Sequence, residues 1–150
     1  MDKAVKTVVI LVFRDESVLI IGQGDESHHV IGTYGLPGGR VEDGEIEKEA
    51  AVRELKEETE LLTDTGDMSE LPGVEYFGDM ARKDGNKISM SMKVFLCRKY
   101  QGEPKITEEG KPIWVPINTL SGYNLLPNVQ DAVNKGLEFL KNNNEIMDSK

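Results

Sequence analysis

The order of predicted strands and helices assigns this chain to the α/β (α+β) class. Two observations support the assignment. Apolar runs of strand length lie near the start and in the second half of the chain, and stretches with helical periodicity lie between and after them. A chain of 150 residues can bury a sizeable core, so we expect residues 1–150 to form a single domain.

The first elements are interpreted as a strand hairpin followed by a helix. Residues 8–13 are continuously apolar, which predicts a strand buried on both faces. Residues 14–17 predict a turn, and residues 18–21 predict the strand that pairs back. After a polar loop, a glycine-rich turn over 35–44 leads into a helix over about 45–59.

The second half predicts more strands and a final helix. The elements in chain order are a loop over 62–72, strands over 74–82 and 87–99 around a turn at 84–86, a short strand over 114–117, and a helix over about 128–141. The last helix is inferred from apolar residues at helical spacing, namely Val129, Val133, Leu137 and Leu140. The end of the chain, over about 141–150, is expected to fray.

Composition narrows the class of protein. A formal net charge of −9 and the lack of a Lys/Arg run argue against a nucleic-acid polymer as partner. No apolar run is long enough to span a membrane, and the N-terminus lacks the apolar segment of a signal peptide. The single cysteine, Cys97, excludes an internal disulfide and sits in an apolar stretch, which predicts a buried side chain. We therefore expect a cytoplasmic protein that does not bind membranes.

Three carboxylates are predicted to share one helix face. Since a helix turns by about 100° per residue, Glu57 lies about 60° to one side of Glu54 and Glu58 about 40° to the other. The adjacent arc is a core-facing stripe formed by Ala51, Val52, Leu55, Thr59 and Leu62. Like charges at this spacing repel, so the cluster needs either full solvation or a cation. Oxygen ligands of this kind suit Mg²⁺ or Mn²⁺.

These residues belong to a longer motif. The chain resembles the Nudix box, G-x5-E-x7-R-E-U-x-E-E-x-G-U, where U is an aliphatic residue. The matching residues are Gly39, Glu45, Arg53, Glu54, Leu55, Glu57, Glu58 and Leu61, preceded by the family's usual Leu36-Pro37-Gly38 lead-in. The resemblance implies an α/β/α sandwich in which a mixed sheet lies between helices and the box forms a loop-helix-loop.

One box position departs from the pattern. Glu60 stands where the motif has a glycine, just past the end of the helix. A left-handed residue commonly ends a helix there, and a non-glycine residue pays a steric penalty for it. We expect Glu60 either to adopt a positive φ or to shift the helix end by a residue or so, without loss of a metal ligand.

The resemblance also implies a set of site residues. The metal ligands would be the carbonyl of Gly39 with Glu54, Glu57 and Glu58, and the catalytic set would be the same three glutamates with Arg53. Arg53 is interpreted either as an orienting partner of a carboxylate or as an ordinary ion pair with Glu57 or Glu49. Glu45 is assigned a structural role near the helix start, where the helix dipole favours negative charge.

Three more candidates come from residues other than the fixed positions of the box. Similarity to MutT-like members at Glu-Gly-x-Pro favours Glu109 over Glu108 as a further metal ligand. The same comparison places Asn128 where those members have a base-reading asparagine, although Asn128 is also at a helix start and an N-cap is the simpler explanation. Arg40, beside the first box glycine, is a second candidate for substrate binding.

The expected activity is hydrolysis of a nucleotide phosphoanhydride with Mg²⁺ or Mn²⁺. The first hypothesis is conversion of a nucleoside triphosphate, standard or damaged, to a monophosphate and pyrophosphate. The alternative is hydrolysis of another X-linked nucleoside diphosphate, such as ADP-ribose, a nucleotide sugar or a dinucleoside polyphosphate. The third is a Nudix-fold binding module without turnover. A homodimer is compatible with the resemblance, but no sequence feature shows one.

Overall fold

The computed structural model describes residues 5–23, 32–81 and 86–143. The predicted turn at 84–86 falls largely outside these residues, as does most of the predicted fraying tail. Among the described residues, eight strands and two α-helices follow one another, with short 3₁₀ turns at Thr65–Asp67 and Ile117–Gly122. No helix in the described part of the chain is long and apolar enough to cross a membrane.

The elements have the following bounds. The strands are β1 (Val5–Leu11), β2 (Phe13–Arg14), β3 (Ser17–Gln23), β4 (Tyr34–Gly35), β5 (Gly38–Arg40), β6 (Met68–Ala81), β7 (Lys87–Cys97) and β8 (Gly110–Pro116). The helices are α1 (Glu47–Thr59) and α2 (Val129–Asn142). Both helices begin and end within two residues of their predicted bounds.

The strands form two sheets. The first has the order β5-β1-β7-β6, in which β1 and β7 run parallel and the other pairs are antiparallel. The second is antiparallel and centres on β3, with β8 along one edge and with β2 and β4 along the other. The first sheet is therefore mixed, as the resemblance implied.

A helix covers each face of this two-sheet layer. Ala50, Ala51 and Leu55 of α1 pack into one buried cluster with residues that include Val8, Ile10 and Phe95. Val129, Ala132, Val133 and Leu140 of α2 pack into a second cluster with residues that include Leu11, Phe13 and Val94. The arrangement is an α/β/α sandwich, and this confirms the predicted fold class.

The prediction of one hairpin over 8–21 is wrong in one respect. The apolar run does not stay in a single sheet, because it leaves the first sheet after Leu11 and joins the second at Phe13. Val12 lies at the crossing, is fully buried, and accepts a hydrogen bond from the N–H of Leu19. The turn at Asp15 and Glu16 was correctly placed, and both residues have positive φ. An apolar run buried on both faces carries no signal of where it changes partners.

The predicted loop over 62–72 is also wrong in part. β6 begins at Met68 and pairs with β7 from Cys97 onward, with an irregularity between Glu70 and Glu75. The proline at position 72, where the predicted loop ended, and the glycine at position 73 lie at this irregularity. The predicted late strand over 114–117 is longer than expected, because β8 already begins at Gly110.

The end of α1 follows the expectation for Glu60. This residue caps the helix in the left-handed region, with φ 66° and ψ 9°, and its N–H donates to the carbonyl of Lys56. The left-handed turn brings Leu61 fully into the core and leaves Leu62 48% exposed. Leu62 therefore does not belong to the core-facing stripe, which was predicted from an uninterrupted helix.

The cap gives a direct test of backbone strain. We expect Glu60→Gly to raise the free energy of unfolding by about 1 kcal/mol, because glycine reaches positive φ without a steric penalty. Urea denaturation of both proteins measures the change. Glu60→Ala is the matched control, since it removes the same carboxylate and keeps the strain. A lower stability for Glu60→Gly, or equal stability of the two variants, would contradict this account.

Candidate active site

The site forms where β5 lies against α1. Gly39 pairs with Val8 of β1, which fixes the position of β5 in the sheet. A methyl group on Gly39 would lie 2.4 Å from the carboxyl carbon of Glu54, far inside van der Waals contact. Only glycine fits there, and its backbone lies directly against the Glu54 carboxylate.

The second inward carboxylate is held by the backbone of the same strand. The N–H of Gly38 donates to Glu58 Oε1 over 2.6 Å. Glu54 and Glu58 are 8% and 9% exposed, so both acids are buried against the strand. Glu54 and Glu58, two of the predicted metal ligands, are therefore brought together, as their helical spacing of four residues requires.

A third carboxylate joins them from the segment before β8. Carboxylate oxygens of Glu54, Glu58 and Glu109 lie within 4.8 Å of one another. Thr107 connects this segment to α1, because its hydroxyl donates to the carbonyl of Glu58 and accepts from the N–H of Glu109. The structure thus places Glu109, the sequence's preferred candidate, in the cluster.

Burial and mutual repulsion shape the electrostatics of this cluster. The pKa of Glu58 is raised to about 8, mainly by burial and also by the charges of Glu109, Glu54 and Glu57, while the hydrogen bond from Gly38 opposes the shift. Burial also raises the pKa of Glu54 to about 7, although Arg53 opposes the shift. When they are ionised, three crowded carboxylates beside one guanidinium carry excess negative charge in a poorly solvated place, and this disfavours the ionised form.

The donor set fits a hard divalent cation. Mg²⁺ binds oxygens at about 2.1 Å, so ligands on opposite sides of it lie about 4 Å apart, close to the spacing of these three carboxylates. Such a cation would also offset the excess negative charge. Glu54, Glu58 and Glu109 are therefore suited to hold a divalent metal ion, with the backbone of Gly39 beside them.

Arg53 binds several acids at once. Its Nε and Nη2 donate to the two oxygens of Glu45 over 2.8 and 2.9 Å. Its Nη1 donates to Glu54 Oε1 over 2.7 Å and also contacts Glu57 at 3.2 Å. An ion pair with the residue four positions away and an orienting contact to a carboxylate were proposed as alternatives for Arg53. The structure contains both, the first with Glu57 and the second with Glu54. The bidentate pairing with Glu45 was missed, because the eight-residue separation crosses the start of α1.

Two of the predicted site residues lie at the edge of the cluster. The Glu57 side chain is 46% exposed, contacts Arg53, and is not among the three carboxylates that converge. Arg40 is exposed, and its carbonyl accepts a hydrogen bond from Arg53 Nη2. The role of Glu57 as a ligand and the role of Arg40 in substrate binding stay predictions.

Asn128 occupies the N-terminal cap position of α2 but does not cap it with its side chain. Its φ is 73°, and its carbonyl accepts from the N–H of Ala132 in the first helical turn. Since the exposed side chain makes no capping hydrogen bond, the N-cap interpretation explains the backbone only. Base reading by Asn128 stays a prediction.

Sequence reasoning missed a cleft beside the cluster. The cleft has a volume of about 500 Å³ and is lined by Gly22, Gln23, Tyr34, Thr107, Lys111 and Tyr123, among others. Its residues come from four separate segments of the chain, so no local sequence pattern could have predicted it. Glu108 and Gly110, on either side of Glu109, also line it.

The fold and the site together define an α/β/α protein in which two glutamates of α1 and one from the segment before β8 converge beside a glycine strand. This chain belongs to the NUDIX domain family, whose family model matches residues 3–136. The match covers most of the chain, and it confirms the family that the box residues indicated.

The chain is also similar in sequence to individual curated proteins. The chain is 32% identical over 83 residues to an oxidized purine nucleoside triphosphate hydrolase of Danio rerio, covering 55% of this chain and 49% of the relative. It is 35% identical over 101 residues to an ADP-ribose pyrophosphatase of Methanocaldococcus jannaschii, covering 67% and 54%. The matches thus span about half the length of these two curated relatives.

The fold has close counterparts among solved structures. A MutT NUDIX hydrolase from Burkholderia pseudomallei superposes with a TM-score of 0.71 at 22% identity, covering 89% of this chain and 98% of that one. At this level of identity the likeness establishes the fold alone.

The Arg53–Glu45 pair predicts a specific loss of stability in acid. The hydrogen bonds from Arg53 lower the pKa of Glu45 to about 2, below its ordinary value of 4.5. A lowered pKa contributes stability that is complete above pH 4.5 and is lost as pH falls towards 2. We expect Glu45→Gln to cost about 1–2 kcal/mol at pH 7 and progressively less below pH 4.5.

Urea denaturation at pH 7, 5, 4 and 3 measures this difference between the two proteins. Glu138→Gln, at an exposed position of α2, is the control for general effects of removing one acid. A wild-type advantage that stays constant from pH 7 to pH 3 would show that the pair does not titrate as described.

Proposed function

We propose that this protein is a divalent-metal-dependent hydrolase of nucleoside triphosphates, which it converts to a monophosphate and pyrophosphate. The substrate is a small-molecule nucleotide, standard or damaged. The observation that carries the proposal is the convergence of Glu54, Glu58 and Glu109 within 4.8 Å beside Gly39. The name of the Danio rerio relative supports a triphosphate as the substrate class.

The chemistry divides between the cation and the chain. When bound, Mg²⁺ or Mn²⁺ would neutralise phosphate charge, stabilise the leaving phosphate and keep the carboxylates ionised. Glu54 and Glu58 would hold it from α1, and Glu109 would hold it from the segment before β8. The backbone N–H of Gly38 fixes the Glu58 carboxylate, so this ligand is oriented before the substrate arrives.

Arg53 is a positioning residue in this scheme. It holds Glu54 through Nη1 and is itself fixed by two hydrogen bonds to Glu45. Glu54, or a carboxylate further from the metal, is the candidate base that takes a proton from the attacking water. An acidic chain can bind an anionic nucleotide in this way, because the positive charge arrives with the cation.

A second candidate is hydrolysis of an X-linked nucleoside diphosphate, with ADP-ribose as the first compound to test. It is favoured by the 35% identity to the Methanocaldococcus jannaschii protein, named an ADP-ribose pyrophosphatase. Both candidates use the same carboxylates and differ in the group that lies beyond the scissile bond.

Product analysis with Mg²⁺ separates the candidates. The panel contains standard and oxidised deoxynucleoside triphosphates, ADP-ribose, a nucleotide sugar and a diadenosine polyphosphate. We expect pyrophosphate from a triphosphate, whereas AMP with a sugar phosphate would establish the second candidate. A folded protein that binds the metal and hydrolyses no compound would overturn both and favour a binding module.

Substitution of single carboxylates tests the site itself. We expect Glu57→Gln and Glu58→Gln each to lower kcat by on the order of 100-fold or more, because each removes charge at the metal. Melting temperature and circular dichroism check that each variant folds. Glu49→Gln is the matched control on the same helix, since its amide oxygen can still accept from the N–H of Ile46.

The two substitutions also test Glu57 separately. Normal activity of Glu57→Gln beside an inactive Glu58→Gln would remove Glu57 from the metal site and leave Glu54, Glu58 and Glu109 as its carboxylates. Normal activity of Glu58→Gln would contradict the whole assignment, because this residue lies at the centre of the cluster.

A further inference from the structure

The carboxyl-terminal end of α1 has carbonyl groups that need donors from outside the helix. The last four carbonyls of any α-helix have no partner within it. In α1, the carbonyl of Glu58 accepts a hydrogen bond from the Thr107 hydroxyl over 3.2 Å, and the carbonyl of Thr59 accepts one from the N–H of Lys105 over 3.0 Å. The segment between β7 and β8 therefore closes the end of the helix that carries Glu54 and Glu58.

The same segment ends in a tight turn that carries Glu109. Thr107 and Gly110 exchange two backbone hydrogen bonds, with N–O distances of 3.1 and 3.3 Å, so Glu108 and Glu109 occupy the tip of the turn. Gly110 is also the first residue of β8, where it pairs with Gln23 of β3. The second sheet thus holds the turn on the side of Gly110.

Gly110 leaves this attachment little freedom. A methyl group on Gly110 would lie 2.5 Å from Cγ2 of Ile21 and 2.7 Å from the carbonyl oxygen of Gly22, both far inside van der Waals contact. Only glycine fits there, because its backbone lies directly against β3. Packing therefore fixes the residue that follows Glu109, and this restricts the positions that the Glu109 carboxylate can reach.

The Thr107 hydroxyl connects the turn to the helix. Its single oxygen donates to the carbonyl of Glu58 and accepts from the N–H of Glu109, in each case over 3.2 Å. A hydroxyl can join two groups in this way, because it is both a donor and an acceptor. The backbones of two of the three converging carboxylates are thus bound to one side-chain oxygen. A residue without a hydroxyl would make neither hydrogen bond.

Thr63 provides a comparison in the same part of the fold. Its hydroxyl donates to the carbonyl of Lys99 over 2.6 Å and joins the loop after α1 to the start of the segment between β7 and β8. Leu62 and Gln101 add two backbone hydrogen bonds there, with N–O distances of 3.1 and 2.8 Å. These bonds hold the start of the segment, whereas those of Thr107 hold the turn that carries Glu109.

We propose that Thr107 is a positioning residue, whose hydroxyl holds Glu109 beside Glu54 and Glu58 and thereby sets the affinity of the site for a divalent cation. The proposal rests on the metal-dependent function proposed above, and it adds to the site a residue that supplies no ligand atom. Removal of a group that orients a metal ligand typically lowers metal affinity by about 10- to 100-fold.

The affinity for Mn²⁺ alone tests this role. Electron paramagnetic resonance during a Mn²⁺ titration, with no nucleotide present, measures the Kd. We expect Thr107→Val to raise the Kd by about tenfold, because valine has the shape of threonine but cannot join the Glu58 carbonyl to the Glu109 N–H. Thr107→Ala also lacks the hydroxyl and should show the same loss, whereas Thr107→Ser keeps the hydroxyl and should restore the affinity.

Thr63→Val is the matched control. It also removes a hydroxyl that donates to a backbone carbonyl of this segment, and it should leave the Kd for Mn²⁺ unchanged. Urea denaturation checks that each variant folds. An equal Kd in the wild-type protein and in the folded variants without the Thr107 hydroxyl would overturn the proposal. An equal loss in Thr107→Val and Thr63→Val would also overturn it, because any loosening of the segment would then suffice.

A double-variant cycle shows whether Thr107 acts through Glu109. Glu109→Gln alone is expected to weaken Mn²⁺ binding, because it removes the charge of one ligand. Addition of Thr107→Val to Glu109→Gln should cause little further loss, because the hydroxyl then has no carboxylate to position. Losses that multiply would show that Thr107 acts through the end of α1 and Glu58 instead, and would overturn the proposal.

Turnover of the nucleotide panel separates this proposal from the hydrolase function. Weaker Mn²⁺ binding by Thr107→Val, in a protein that hydrolyses no compound, would support the positioning role and reject the hydrolase. Turnover with an unchanged Kd for Mn²⁺ in Thr107→Val would support the hydrolase and reject the positioning role. If both proposals hold, the rate of Thr107→Val is low at limiting Mn²⁺ and recovers as the Mn²⁺ concentration is raised, because the substitution changes metal affinity.

Discussion

The contact between the glycines of β5 and the carboxylates of α1 is the constraint on which the site depends. Gly39 has no space for a side chain because Glu54 fills it, and the N–H of Gly38 is committed to Glu58. Through β5 the contact also joins α1 to β1, the strand that runs through the middle of the first sheet. A bulkier residue at position 39 would push α1 away from β5. Glu54 and Glu58 would then both move away from the strand.

The cluster also shows how a protein with net charge −9 can be suited to an anionic ligand. Negative charge is concentrated where burial makes it costly, and a single guanidinium, that of Arg53, touches both Glu45 and Glu54. Arg53 is itself stabilised in its charged form by these acids, which raise its pKa above the ordinary value. The chain thus orients its carboxylates, burial raises the pKa values of Glu54 and Glu58, and a bound cation would favour their charged forms.

Local spacing predicted much of the fold and site, and long-range contacts account for the rest. The four-residue separation of Glu54 and Glu58 places both on one face of any α-helix, so their convergence could be read from the sequence. Helical spacing does not show that Glu57 pairs with Arg53, a residue that also binds Glu45, eight positions earlier. The cleft is harder still to predict from the sequence, because the contact between Tyr34 and Tyr123 depends on the second sheet and on the segment before α2.

The crossing of the chain at Val12 has a consequence for how insertions would be tolerated. Val8, Ile10 and Val12 all contact the cluster beneath α1, whereas Leu11 and Phe13 contact the one beneath α2. The alternation of side chains therefore continues without interruption from one sheet into the other. One added residue between positions 11 and 13 would exchange the two faces of everything on one side of it. Even a single-residue change in the length of this buried segment would displace the second sheet, with its cleft and Glu109, from Glu54 and Glu58 of α1.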